Sequence, residues 1–449
     1  MRVTEREIRL AAAKIERLRL AWLAERVEHE LCAGEAPVRF VVTASGDQQL
    51  HCELAIVSGL DERFKLPSLF SFRPRQRETT DGFRAVLLVP TGIGARIGGH
   101  SGDAGPVARL LAAACDTLIT HPNVVNGADI NELPENGLYV EGSVITRLLM
   151  GTVGLQRVRA NRLLLVVDRH PNRRFRDDVV NAASAARAAM GLSCPCVIEL
   201  DGRLAMRSSY SSSGRAVGEI DGLEHLLDVL DGSRDEYDAV ALSTLVEVPE
   251  RFHVDYFSHD DDDMVNPWGG VEAMLTHAVS LALDVPSAHA PMMSSSTVMN
   301  LDLGVVDPRK SAEAVSKTYL HSVLKGLHRS PAIVPDPPAG SPGILTAEDV
   351  SCLIIPSGCL GLPMLAALEQ RIPVIEVREN RNRMANDLSR LPFRRGAHFV
   401  VDSYLEAVGV MTALRGGVAV EAVRRPLAPT RCVPAAADAH HESGSTAGE

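Results

Sequence analysis

Three positions in this chain have side chains suited to proton transfer. His121 lies in the segment Thr-His-Pro-Asn (120–123), Glu141 follows a short apolar run, and Glu272 follows Trp-Gly-Gly-Val (268–271). An imidazole titrates near neutral pH, so His121 is the candidate general acid or base. Glu141 or Glu272 is the candidate partner that orients it. A structural role is the alternative for each carboxylate, and for Glu272 that role is favourable interaction with the dipole of a predicted helix.

A glycine-rich loop before His121 predicts an anion-binding site. It follows the apolar run 85–89 and leads into a predicted helix. Exposed N–H groups beside a helix N-terminus can hold phosphate or carboxylate. The loop is neither a dinucleotide fingerprint, because Ile97 replaces the third glycine, nor a Walker loop, because Gly-Lys-Ser/Thr is absent. The alternative is a turn that uses glycine only for close packing. The substrate-binding candidates around it are Gly92, Gly94, Arg96, Gly98, Gly99, Asp103, Asn123 and Asn126.

Two further glycine segments are candidates for the same site. Gly269 and Gly270 precede a predicted helix, and Ser357 and Gly358 form a tight loop after a predicted buried strand. We expect the Ser-Gly loop (357–361) and the glycine loop (92–105) to face one cleft, in which Arg96 and Arg378 bind the charge of the ligand.

A separate acidic segment, 253–263, is a candidate metal site. His253, Asp255 and His259 are its candidate ligands, although their spacing matches no standard zinc motif. The alternative is a solvated acidic loop. No organic cofactor is expected, and a divalent metal is left open by this segment.

The elements that must position these residues predict an α/β fold. Continuous apolar runs followed by helical segments predict two lobes of mainly parallel sheet with helices on both faces, and a ligand cleft at the carboxyl ends of the strands. The serine run 208–213 predicts a loop near a domain junction. The predicted regions are 1–83 with a helix over 4–32 and a small strand pair, the first lobe at 84–205, the second lobe at 206–425, and a disordered tail at 426–449.

Composition limits the classes of partner. The 449 residues carry a net charge of −11 without a basic block, which argues against nucleic acid. No apolar run approaches the roughly 18 residues of a membrane span. The eight cysteines are scattered without a Cys-x-x-Cys pair, which predicts a reducing, cytoplasmic compartment. Association of copies through the first helix, giving a homo-oligomer, is left open.

The order of several motifs resembles the family called domain of unknown function 3326. The residues that carry the resemblance are Val89-Pro-Thr-Gly-Ile-Gly-Ala, Gly98-Gly, Gly102-Asp-Ala, Thr120-His-Pro-Asn-Val-Val-Asn, Tyr139-Val-Glu-Gly and Pro267-Trp-Gly-Gly-Val-Glu-Ala. The resemblance covers roughly 85–380 and implies no activity. Near the C-terminus, Ser357-Gly, Pro373-Val and Arg378 are similar to the nucleotide-sugar-binding segment of sugar-nucleotide 2-epimerases and related two-lobed glycosyltransferases.

Together these residues predict an enzyme that acts on a small anionic metabolite, phosphorylated or carboxylated. Acid/base chemistry at His121 predicts an isomerase, lyase or transferase. Two alternatives remain open: a non-catalytic sensor of the same ligand, and a metal-dependent hydrolase that uses the 253–263 segment.

Overall fold

The computed structural model describes residues 1–430 and 432, except 12–14, 16, 17, 62, 65, 203, 259–263 and 339. The fold is mixed α/β, as predicted, with parallel sheets and with helices interspersed among the strands. None of the helices in these residues is long and apolar enough to cross a membrane.

A six-stranded parallel sheet holds the strand that precedes the glycine loop. Its strands are short and mostly buried, as the continuous apolar runs predict. The spatial order is β22-β21-β19-β4-β5-β8, with β4 Arg84–Leu87, β5 Thr117–Thr120, β8 Gly137–Tyr139, β19 Cys352–Pro356, β21 Val374–Val377 and β22 His398–Val401. The strands come from both predicted lobes, so this sheet crosses the predicted division of the chain.

A four-stranded parallel sheet has the order β11-β10-β14-β16. Its strands are β10 Arg162–Val167, β11 Ser193–Glu199, β14 Ala239–Ser243 and β16 Ser287–His289. Both parallel sheets have polar residues directly after their strands, such as His121 after β5 and Thr244 after β14. These carboxyl ends supply part of the site described below.

The third large sheet is antiparallel apart from one strand pair. Its order is β15-β12-β13-β1-β3-β2-β20. The strands are β1 Arg2–Ala11, β2 Glu35–Ser45, β3 Gln49–Ser58, β12 Ala205–Tyr210, β13 Ala216–Asp221, β15 Val246–Glu247 and β20 Leu360–Gly361. The remaining strands, β6 Asn126–Gly127, β7 Ile130–Asn131, β9 Val153–Gln156, β17 Ala332–Pro335 and β18 Ile344–Leu345, form two small antiparallel sheets.

In this part of the chain the predicted first helix is wrong, and the predicted serine loop is present only in part. The predicted helix 4–32 is instead strand β1 followed by a shorter helix, Leu20–Glu28. Ile8 and Leu10 are buried on either side of an exposed Arg9, an alternation with the period of a strand, and β1 pairs along its whole length with β3. Of the serine run predicted as a loop, residues 208–210 lie in β12 and residues 211–213 lie in the turn that follows it. The division at 205–206 falls inside β12.

The helices pack on the sheets and connect their strands. They are α1 Leu20–Glu28, α2 Gly105–Ala112, α3 Pro122–Val125, α4 Gly142–Leu149, α5 Arg173–Met190, α6 Leu223–Gly232, α7 Glu250–Ser258, α8 Gly269–Leu283, α9 Ser296–Met299, α10 Ser311–Val315, α11 Leu320–His328, α12 Leu362–Gln370 and α13 Tyr404–Arg415, with short 3-10 helices at Arg234–Glu236, Ala347–Asp349, Leu388–Arg390 and Val420–Val423. The sequence from Asp307 to about Gly326 predicts a single helix, because Asp307 can cap it and Pro308 suits its first turn, but the structure has two helices there, α10 and α11. The break falls where Tyr319 adopts a left-handed conformation with φ of 54°. Of the predicted tail, only 426–430 and 432 lie within the described residues.

Candidate functional site

A cavity of about 240 Å³ is lined by residues from the carboxyl ends of both parallel sheets. Helix α8 and the segment 291–323 supply much of the remaining wall. Among the described residues, the lining contains no arginine or lysine. The histidine and glutamate side chains that line it are His100, His121, His253, His277, His289, Glu141, Glu272 and Glu313. The cavity is therefore rich in groups that exchange protons and poor in groups that attract anions.

Helix α8 begins at the wall of the cavity and presents one face to it. The side-chain Oδ1 of Asn266 accepts hydrogen bonds from the N–H groups of Trp268 (3.0 Å) and Gly269 (3.3 Å), which satisfies two donors at the helix start. Glu272 and Thr276 are four residues apart and so lie on the same face, with His277 beside them. All three line the cavity.

His277 and Glu141 form a histidine–carboxylate pair at this wall. The Nδ1 atom of His277 lies 2.7 Å from Glu141 Oε1. Glu141 Oε2 caps helix α4 by accepting from the N–H groups of Ser143 (2.8 Å) and Val144 (3.4 Å). Burial opposes ionisation of Glu141, but the charge and hydrogen bond of His277, together with Ser143, hold its pKa below the usual range. The fixed carboxylate lies against Nδ1 as an ion-pair partner, and Nε2 of His277 has no hydrogen-bond partner among the described residues.

His121 lines the same cavity but is held differently. Its Nε2 atom accepts a hydrogen bond of 3.0 Å from the N–H of Val89, so the proton of the neutral ring lies on Nδ1. Burial lowers the pKa of His121 to about 4, although the nearby charge of Glu141 opposes this effect. The ring is consequently neutral at pH 7, and the nitrogen that would accept a proton is already occupied.

Glu272 is held by a second histidine. His289 Nδ1 lies 3.0 Å from Glu272 Oε2, and His289 Nε2 lies 2.8 Å from Thr244 Oγ1. The order of hydroxyl, imidazole and carboxylate is that of a nucleophilic triad. Thr244 is 0% exposed, however, and does not line the cavity, so its hydroxyl is not accessible to a substrate there. His289 thus positions Glu272, whose Oε1 has no hydrogen-bond partner among the described residues.

Glu313 is a buried carboxyl group that also lines the cavity. Its Oε1 accepts from the N–H of Ser101 (2.7 Å) and from the hydroxyl of Tyr256 (3.2 Å). Burial raises the pKa of Glu313 to about 7 against these hydrogen bonds, and the charges of Glu272 and Asp103 add to the increase. Glu313 is therefore partly protonated near neutral pH.

The glycine loop lies beside the cavity, but the chain itself occupies several of its N–H groups. The N–H of Gly98 donates to Asp103 Oδ1 (2.8 Å), and that of Ser101 donates to Glu313. Gly102 is required for packing, because a Cβ atom there would lie 2.3 Å from the Cα of Gly127. The close-packing interpretation of these glycines accounts for such contacts without a bound anion.

The Ser-Gly loop does not face this cavity. Ser357 Oγ and the N–H of Gly358 both donate to Glu376 Oε1, at 3.0 Å each. The space between this loop and the glycine loop is occupied by the segment 380–386. Its Asn380 accepts from the N–H of Ile97 and donates back to the carbonyl of Ile97, while Asn382 and Asn386 donate to the carbonyls of Ser357 and Gly358. The prediction of one cleft between the two loops is therefore wrong.

Neither of the two arginines that were predicted to bind the charge of the ligand, Arg96 and Arg378, lines the cavity. The N–H of Arg96 donates to the carbonyl of Arg381, and Arg96 is absent from the cavity lining. Arg378 pairs with Asp402 at 3.1 Å on the surface, with 64% of its side chain exposed.

The predicted metal ligands are only partly brought to the site. His253 lines the cavity with its ring 5.2 Å from that of Trp268. Asp255 lies two residues farther along α7 and does not line the cavity, and His259 lies outside the described residues. Within the described part of the chain, no three His, Cys, Asp or Glu groups come together in a way that would hold a metal ion. The metal-dependent hydrolase stays a prediction.

Comparison with known proteins gives a family. A family model described as protein of unknown function (DUF3326) matches residues 84–424. The chain belongs to the DUF3326 family. It is similar to an uncharacterized lipoprotein of Synechococcus sp., with 34% identity over 339 residues, which is 74% of this chain and 91% of that protein. No solved structure matches the chain. The resemblance inferred from the motifs is confirmed, and the likeness to sugar-nucleotide 2-epimerases stays a prediction.

All described residues that line the cavity lie within the region 84–424 that matches the DUF3326 model. Some of the residues predicted from sequence line the cavity and others do not. The predicted residues that line the cavity are His121, Glu141, Glu272, Gly92, Gly99, Asn123, Asn126, Gly269 and His253, whereas Gly94, Arg96, Gly98, Asp103, Gly270, Ser357, Gly358, Arg378 and Asp255 do not. The sequence analysis did not identify His277 or Glu313 as site residues. The spacing of Glu272, Thr276 and His277 on one predicted helix was the available signal for His277. No local pattern distinguished Glu313.

Proposed function

We propose that this DUF3326 protein is an enzyme that transfers a proton to or from a small polar metabolite bound in the cavity. The observation that carries the proposal is the pair formed by His277 and Glu141, 2.7 Å apart, with His277 Nε2 left available at the cavity wall. A carboxylate that holds one ring nitrogen orients the imidazole and fixes which nitrogen exchanges the proton. His277, rather than His121, is then the general acid or base.

Other lining residues have distinct roles in this proposal. Glu313, with a pKa raised to about 7 by burial, supplies or accepts the second proton near neutral pH. His121 remains neutral and ties the end of β5 to Val89. An isomerase, lyase or transferase reaction uses such groups without an organic cofactor.

The charges of the residues that line the cavity indicate which charge the metabolite has. Three glutamates and no arginine or lysine among the described residues make a small anion a poor fit. The N–H groups of Gly98 and Ser101, which the anion prediction relied on, already donate to Asp103 and Glu313. We therefore propose a neutral or cationic polar metabolite in place of the anion expected from sequence.

A cytoplasmic location remains part of the proposal. All eight cysteines are free thiols in the structure, which fits a reducing compartment. The similar Synechococcus protein carries the name lipoprotein, so association with a membrane is the alternative proposal for this chain. Cell fractionation with an antibody against the native chain distinguishes the two: recovery in the membrane pellet would contradict the cytoplasmic proposal. Association of copies also stays a proposal.

Incubation with a bacterial metabolite extract, followed by mass spectrometry, tests the enzyme proposal. We expect the wild type to deplete one compound and produce another, and His277→Gln to lose this turnover by about 10²–10⁴-fold. His51→Gln is the matched control, because His51 is exposed and lies outside the cavity lining. A compound retained by the wild type without any turnover would support a sensor and contradict the proposal.

A further inference from the structure

The two carboxyl groups left with an open oxygen share this cavity. Glu272 Oε2 is bound to His289, and Glu313 Oε1 accepts from Ser101 and Tyr256. The second oxygen of each glutamate has no hydrogen-bond partner among the described residues. Glu313 is 6% exposed and lines the cavity, so its open oxygen lies in a confined space. A cation between the two groups would relieve their mutual repulsion and satisfy both oxygens.

Aromatic rings accompany these carboxyl groups. Trp268, Phe257 and Tyr319 line the cavity together with Glu272 and Glu313. The faces of aromatic rings attract cations through their quadrupole. An ammonium group would therefore meet both negative charge and ring faces in this part of the cavity, whereas a carboxylate or phosphate would meet repulsion.

The segment that follows β16 forms a mostly apolar part of the cavity wall. Apart from Ser294, its lining side chains between 292 and 303 are apolar: Met292, Met293, Val298, Met299, Leu301 and Leu303. Thioether side chains adapt to the shape of an apolar group, and aliphatic ones favour its removal from water. This wall has no function in proton transfer, so it is free to recognise a non-reacting part of the ligand.

We infer that the cavity takes an amphipathic amine, with its ammonium group between Glu272 and Glu313 and its apolar part against the methionine-rich segment 292–303. This inference rests on the proposed function, because it names the substrate class of the same cavity. The polar and apolar walls together define one class of small molecule that neither wall defines alone.

Binding of three six-carbon probes, hexylamine, hexanoate and hexan-1-ol, to the full chain at pH 7.5 tests the inference by titration calorimetry. We expect hexylamine to bind saturably and at least tenfold more tightly than hexanoate. Glu272→Gln should weaken hexylamine binding about tenfold and leave hexanol binding unchanged. Glu236→Gln, at an exposed position outside the lining, is the matched control.

A second variant tests the apolar wall. Met299→Ser should weaken the binding of hexylamine but not that of methylamine, which is too short to reach this segment from the carboxyl groups. Hexanoate binding as tightly as hexylamine, or a Glu272→Gln variant with unchanged hexylamine affinity, would overturn the inference.

These binding measurements do not depend on turnover. His277→Gln should retain hexylamine affinity, because His277 holds no part of the ammonium site. Amine binding without turnover dependent on His277 would refute the proposed function alone. Turnover dependent on His277 without preference for amines would refute the inference alone.

Discussion

Replacement of Glu313 by glutamine should stabilise the protein at alkaline pH and not at acidic pH. Glu313 is 6% exposed, and its Oε1 accepts hydrogen bonds from Ser101 and Tyr256. A glutamine oxygen can accept the same hydrogen bonds, and its amide cannot ionise. The variant therefore removes the buried charge while it retains the shape of the side chain.

The magnitude follows from the proton affinity of Glu313 in the two states. Burial raises the pKa from the ordinary 4.5 to about 7 in the folded protein. Between these values, the folded state holds a proton that the unfolded state releases, so wild-type stability falls as pH rises from 4.5 to 7. Each tenfold change in proton affinity corresponds to about 1.4 kcal/mol, which gives a total loss of about 3 kcal/mol.

Urea denaturation at pH 5 and pH 8 measures this effect. The free energy of unfolding of Glu313→Gln, relative to wild type, should be higher at pH 8 than at pH 5 by about 3 kcal/mol. Glu236→Gln, at an exposed position, should give the same difference from wild type at both pH values. An equal effect of Glu313→Gln at the two pH values would refute the assignment of Glu313 as a buried carboxyl group that holds its proton.

Three further substitutions test the packing and limits of the site. Gly270→Ala would place a Cβ atom 2.0 Å from the carbonyl oxygen of Ala216, so urea denaturation should show that the free energy of unfolding falls by about 3 kcal/mol or more. Gly105→Ala is the control, because no atom lies within 4 Å of its new Cβ, and it should not lower the free energy of unfolding. Ala128 lines the cavity with φ of 53°, so Ala128→Gly should raise the free energy of unfolding by about 1 kcal/mol in the same assay; a loss would contradict the strain argument. Arg378→Ala should leave turnover of the extracted metabolite within about twofold of wild type, because Arg378 lies outside the cavity, and a tenfold fall would restore it as a ligand-binding residue.

The parallel strands could be predicted from sequence because their apolar runs have few alternatives. The runs at 85–89 and 350–355 contain most of β4 and most of β19, which are buried strands of one sheet. Strand β1 was not predicted, because the apolar residues of the segment 4–32 also fit one stripe of a helix. Its conformation depends on pairing with β3 and on contacts such as that of Glu5 with the buried Arg215.

Only those site residues that a local sequence pattern marks could be predicted. His121 and Glu141 each follow a predicted strand, and both line the cavity. The pairing of Glu141 with His277 and the position of Glu313 depend on helices far along the chain. The segment 380–386, through Asn380, Asn382 and Asn386, fills the space between the glycine loop and the Ser-Gly loop, where the sequence predicted a ligand cleft.

Deuterium incorporation tests the central claim most directly. The wild type and the variants His277→Gln and His51→Gln are incubated in D2O with the metabolite that the wild type converts, and mass spectrometry follows the deuterium in substrate and product. Proton transfer through His277 predicts deuterium at a carbon position with the wild type and His51→Gln, and a loss of incorporation with His277→Gln. Equal incorporation with all three proteins would contradict the assignment of His277 and Glu141 as the groups that perform the chemistry.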